Sequence, residues 1–181
     1  SIEYLHDSGY WFSKYYGDYP YNHITAVDGD LSAGGGMEYP NITVIASMPS
    51  KHLLETVIMH EVGHNWFYGI IGTNERYYTW MDEGLNDYSN IRYWQDKYRD
   101  TDEQFVLIPL IQNKLGIAKS LKYSWFGYFQ YASSAKSKNV QPLNLKADEY
   151  TPSNYGLNYS KTGVFTRFLQ HYLGDKKMDE I

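Results

Sequence analysis

Two histidines four residues apart, His60 and His64, with Glu61 between them and Glu83 nineteen positions after the second, are the residues best spaced for chemistry. On a helix, side chains at i and i+4 stand one turn apart on one face, so both imidazoles can reach a single metal ion. Glu83 can add an oxygen ligand, which leaves a fourth position open for water or substrate. Two imidazoles, one carboxylate and an open position make a catalytic zinc site rather than a structural one. Glu61 sits beside that face, where it can take a proton from an activated water without itself binding the metal. Residues 53–59 before the motif and 66–68 after it are mostly apolar or aromatic. The motif is therefore expected on a buried helix, where two histidines and a glutamate are costly unless partnered, and a metal partners all of them. No third histidine follows six positions after His64, because Ile70 stands there. The third ligand must come from elsewhere, and Glu83 is the best-placed candidate.

The elements that must position these groups follow from the surrounding pattern. Residues 1–18 carry aromatics (Tyr4, Trp11, Phe12, Tyr15) near helical spacing and are expected to form a helix. Residues 23–27 and 41–46 are β-branched runs bounded by Gly, Asp, Asn and Pro, and are expected to be strands. Between them Gly34, Gly35 and Gly36 mark a turn or an edge where another backbone comes close. The motif helix is expected over 51–68, and a second helix, capped by Thr79 and carrying Glu83, over 79–98. Residues 104–115 are expected to be helical with a break at Pro109. Loops and short helices are expected over 117–156, and a last helix over 159–173, stopped by Gly174.

With these motifs in order, the chain resembles the M1 family of gluzincin zinc aminopeptidases. Gly34-Gly35-Gly36-Met37-Glu38-Tyr39 is similar to the family's Gly-x-Met-Glu-Asn segment, His60-Glu61-Val62-Gly63-His64 to its zinc helix, Trp80-Met81-Asp82-Glu83-Gly84 to its Trp-Leu-Asn-Glu-Gly, and Tyr159-Ser160-Lys161 to its Tyr-x-Lys-Gly. The resemblance implies an α+β fold, a thermolysin-like gluzincin catalytic domain with a small N-terminal sheet region (about 19–48) and a mainly helical zinc-binding part (about 50–181). It also implies one domain over 1–181, excised from a longer chain whose neighbouring domains flank it. The implied site has one zinc held by His60, His64 and Glu83, Glu61 as general base, and Tyr159 as donor to the oxyanion. Gly35, Gly36, Met37 and Glu38 would bind the substrate, with the Glu38 carboxylate on the free α-ammonium of a peptide. Departures are Tyr39 for Asn, Thr162 for Gly, and Asn90 where many members carry a further Glu. Because metal-bound histidines usually give their other N–H to a carboxylate or carbonyl, Asp87, one turn after Glu83, is the candidate to orient His60 or His64. A solvated surface aspartate is the competing reading. An epoxide hydrolase-like member and a non-catalytic peptide-binding scaffold are the alternative functions. The second should have lost ligands or the base, whereas all five groups remain.

Composition narrows the partners. The chain has 181 residues, 43% of them hydrophobic, which is enough for a real core in one domain. Its net charge of −5 and lack of a basic stripe argue against nucleic acid. With no Cys, a metal can be held only by imidazole and carboxylate. No signal-peptide pattern is visible at the start, and the longest apolar run, residues 105–111, is too short to cross a bilayer. Neither observation selects between a cytoplasmic and an exported protein.

Overall fold

The computed structural model describes residues 1–32, 34–98 and 123–181. The chain opens with helix α1 (Ile2–Tyr16), which buries Phe12 and ends at Gly17. Strands β1 (Thr25–Asp28), β2 (Gly36–Met37) and β3 (Ile42–Ile45) form a three-stranded sheet in the order β1-β3-β2. β3 pairs parallel with β1, Thr25 opposite Ile42, and antiparallel with β2, Gly36 opposite Ile45. Among the described residues β2 therefore pairs on one side only, and its outer edge is open.

Helix α2 (Lys51–Gly63) follows, started by Ser50, whose hydroxyl accepts from the Leu53 N–H at 3.2 Å. Its inner face places Ile58, Met59 and Val62 with Phe12, Ile45, Trp66, Phe67, Tyr93 and Trp94 in the core. Fully burying an aliphatic side chain of this size contributes about 1.5–3 kcal/mol, so α1, α2 and the sheet are fastened together by this cluster. A π-helical turn (Trp80–Gly84) then leads directly into α3 (Leu85–Lys97), which packs on α2. Helix α4 (Tyr123–Lys136), the short α5 (Pro152–Tyr155), α6 (Leu157–Leu173) and α7 (Asp175–Asp179) complete the described chain, with α6 packed on α3 and α4. No helix among the described residues is long and apolar enough to cross a membrane.

The α+β character, the two longer strands, the first helix and the stop at Gly174 agree with the sequence reading. Four expectations need correction. The motif helix ends at Gly63, not near 68: Asn65 and Trp66 bond back three residues, and Tyr68 takes a positive φ of 94°. His64 nevertheless keeps helical dihedrals, so its relation to His60 survives. Thr79 caps nothing, because its hydroxyl donates to the Glu75 carbonyl at 2.8 Å, and the next turn is π rather than α. Helix α4 lies where loops and short helices were expected, and α7 was not foreseen. The helix expected over 104–115 lies outside the described residues.

Candidate metal and catalytic site

Four pieces of chain meet at the site. α2 supplies His60, Glu61 and His64, and the π turn supplies Asp82 and Glu83. α3 adds Asn86, Asp87 and Asn90, the end of β2 adds Glu38, and the first turn of α6 adds Tyr159. The π turn explains how two successive carboxylates face inward together. Its wider winding, with i→i+5 bonding, turns both Asp82 and Glu83 towards α2, and such turns are frequent at functional sites.

Glu83 Oε2 lies 3.1 Å from His60 Nε2 and 3.3 Å from His64 Nε2, and the two nitrogens are 3.2 Å apart. Three donors held about 2.0–2.1 Å from a tetrahedral zinc ion stand about 3.3 Å from one another. The triangle has that size. His64 Nδ1 is 2.8 Å from Asp82 Oδ1, which makes Nδ1 the protonated nitrogen and turns the Nε2 lone pair into the triangle. His60 Nδ1 lies 2.8 Å from the Asn90 side-chain amide. The Asn90 oxygen is buried without a partner, and turning the amide over lets it accept from Nδ1–H, which frees the His60 Nε2 lone pair as well. Two lone pairs and a carboxylate oxygen converging at these distances repel each other unless a cation sits among them. The donor set therefore fits zinc.

The electrostatics agree. Burial opposes charge on His64, but the Asp82 and Glu83 carboxylates outweigh it and hold its pKa well above the usual value. Burial likewise works against the Glu83 charge, yet the two imidazoles hold its pKa well below the usual range. A cluster that attracts protons this strongly in place of a metal also attracts the metal, which displaces them.

Glu61 lies outside the triangle. Burial pushes its pKa up to about 7 despite the neighbouring histidines, and its Oε2 is buried without a partner. Its other oxygen rests against Gly36, where a Cβ would overlap the Glu61 side chain. Only glycine lets strand β2 come this close to the carboxylate. Glu38 follows at once: its carboxylate, Asp82 and His64 offer atoms within 4.8 Å of one another. That second set is not an independent ion site, since His64 Nδ1 is already committed to Asp82. Burial also raises the Glu38 pKa. Tyr159 stacks on His60 with ring centroids 5.6 Å apart. Burial and the Glu83 carboxylate keep its phenol protonated far above the ordinary range.

The sequence-selected groups His60, Glu61, His64, Glu83, Glu38, Gly36 and Tyr159 are thus brought together. Gly35, just before β2, and Met37 flank Gly36, with the Gly35 carbonyl accepting from the Ala46 N–H at 2.9 Å. Asp87 needs correction. The Nδ1 positions belong to Asp82 and Asn90, and Asp87 bonds to neither histidine; it borders a cavity instead. Sequence reading also passed over Asn86, fully buried, whose amide donates to the His60 carbonyl at 2.7 Å and ties α3 to the end of α2. Asp82 had one available signal, its adjacency to Glu83. Lys161 points away from the site, donating to the Gln141 carbonyl at 2.9 Å.

Comparison with known proteins places this site in a family. The peptidase family M1 domain matches residues 9–181, nearly the whole chain, and the chain belongs to that family. Its fold is similar to the crystal structure of an M1 zinc metallopeptidase from Deinococcus radiodurans (TM-score 0.65, 17% identity, 99% of this chain and 35% of that one). It is equally similar to a single-site variant of that enzyme (TM-score 0.66, 16% identity, 99% and 35%). A variant from Deinococcus radiodurans bound to a Tyr-Ser-Ala substrate matches with TM-score 0.61 and 17% identity, over 98% of this chain and 34% of that one. The chain thus spans about a third of the length of the structures it matches. No curated protein matches the sequence at a significant level.

Proposed function

We propose that this chain carries the catalytic site of a zinc aminopeptidase, which hydrolyses the first peptide bond of peptides with a free N-terminus. The observation that carries the reading is the triangle of His60 Nε2, His64 Nε2 and Glu83 Oε2, with edges of 3.1–3.3 Å, beside an unpartnered Glu61 carboxylate. Zinc held there would supply a Lewis acid and lower the pKa of water towards neutrality. Glu61, with a pKa near 7, accepts the proton of the attacking water and passes it to the departing amine as the C–N bond breaks. Tyr159, whose hydroxyl stays protonated, donates to the oxyanion that develops on the carbonyl oxygen. Asp82 and Asn90 fix the two rings, and Asn86 fixes the backbone that carries them.

Release from the N-terminus, rather than internal cleavage, is assigned to Glu38. A carboxylate in a half-buried position gains from an α-ammonium and is left unpaired by the neutral amide of an internal bond. The open edge of β2 beside it can pair with an extended peptide as an added strand. Glu38→Ala should raise KM for peptides with a free N-terminus at least about tenfold, the effect of losing one such charge pair. Inhibition by the same peptides with an acetylated N-terminus should change far less. Equal losses for both would remove Glu38 from this role.

A further inference from the structure

On the His60 side of the ligand triangle lies a cavity of about 270 Å³ that the mechanism above leaves unused. Asp87 and Ile91 of α3, Phe126 of α4, and Tyr159 and Ser160 of α6 line it. Sites that hold a drug-sized molecule run to roughly 300–1,000 Å³, so this one suits a single side chain. Its polar groups are unspent. Ser160 is 2% exposed and its hydroxyl has no partner, and Asp87 forms no hydrogen bond or ion pair among the described residues. The room for the Asp87 carboxylate is built in: a Cβ on Gly163 of α6 would fall 2.7 Å from Asp87 Oδ2. Any other residue at 163 would push the carboxylate out of the wall.

We propose that this cavity receives the side chain of the second substrate residue, whose amine is released, and that Asp87 makes it select a positively charged side chain. The proposal rests on the aminopeptidase reading, because Glu38 sets the direction of the peptide. Glu38 lies against His64 and Asp82, whereas Tyr159 stacks on His60 and borders the cavity. A peptide held by its ammonium at Glu38, with its first carbonyl at the triangle, continues past Tyr159 into this space. The methylenes of a lysine would lie along Ile91 and Phe126 and its ammonium would meet Asp87. A neutral side chain of the same length fills the space but leaves the desolvated carboxylate without a partner.

Calorimetric binding to the zinc-loaded Glu61→Gln protein separates the possibilities. The probes are Ala-Lys-Ala amide, Ala-norleucine-Ala amide and Ala-Glu-Ala amide, alike in length and in the free N-terminus. The lysine peptide should bind at least about tenfold tighter than the norleucine peptide, and the glutamate peptide more weakly than either. Asp87→Asn in the same background should bring the lysine-to-norleucine ratio close to one. Equal affinities in the parent, or a lysine preference that survives Asp87→Asn, would overturn the proposal while leaving the aminopeptidase reading in place. Failure of all three peptides to bind would overturn that reading and the proposal with it.

Discussion

Helix α2 buries charge twice: at Glu55, against Lys97 of α3, and further along at His60 and His64, against Glu83 of the π turn. The first cluster is closed. Glu55, 2% exposed, accepts from Tyr93 at 2.7 Å, from Tyr98 at 2.8 Å and from Lys97, which also pairs with Asp7 at 2.7 Å. Lys97 bridges both carboxylates, and Glu55 takes further hydrogen bonds from Tyr93 and Tyr98, so its partners all lie inside the protein. The second cluster is open. Its two imidazole Nε2 atoms converge with Glu83 Oε2, and Glu61 Oε2 has no partner. A buried network that is half satisfied costs stability, and the donors converging here are of the kind a metal ion satisfies. The two networks along α2 thus differ in whether their partners are all internal.

The sharpest way to test that division is Glu61→Gln. It should leave the metal in place and lower kcat by about 10²–10⁴, the usual contribution of a positioned base; retained hydrolysis would remove the assigned base. In the closed cluster, Lys97→Met should act in the opposite sense. Leaving the buried Glu55 charge without its ammonium should cost about 3–5 kcal/mol of unfolding free energy in urea titrations, with zinc per folded chain unchanged. Loss of zinc with stability intact would show that the two clusters are not independent. The smallest effect is expected at Asp7. Burial works against its charge, but Lys97 and His6 outweigh it and hold its pKa below the ordinary value. A carboxylate whose folded pKa is depressed stabilises the protein above its unfolded pKa and loses that contribution as pH falls through the folded one. Asp7→Asn should therefore cost less than about 1 kcal/mol at neutral pH, and the difference from the parent should begin to shrink at about pH 4 and vanish only below the depressed folded pKa.

The division also shows what a sequence can reveal here. His60, Glu61 and His64 were legible because four-residue spacing on one helix is a local rule, and it held although α2 stops at Gly63. Glu83 was selected by its spacing from His64, and Glu38 and Tyr159 by the resemblance of their segments to the family's. The partners of the imidazoles were not, because which side chain reaches an Nδ1 depends on how α3 seats against α2. The expectation for Asp87 assumed unbroken α-helical phase from Glu83. The π turn at Trp80–Gly84 breaks that phase, so Asp82 takes His64 and Asn90 takes His60. Asn90, first read as a departure from the family pattern, holds the position in this chain. Helix α4 was missed because its aromatic residues, Trp125, Phe126, Tyr128, Phe129 and Tyr131, are spread round the helix and mark no single core stripe.

The central claim is that the open cluster is completed by one metal ion. Elemental analysis after zinc reconstitution and desalting, with the Glu83→Ala protein beside the parent, tests it most directly. The account predicts about one zinc per parent chain, as a site of two imidazoles and a carboxylate requires, and its loss in the variant. Zinc absent from the folded parent, or bound equally by both proteins, would contradict it.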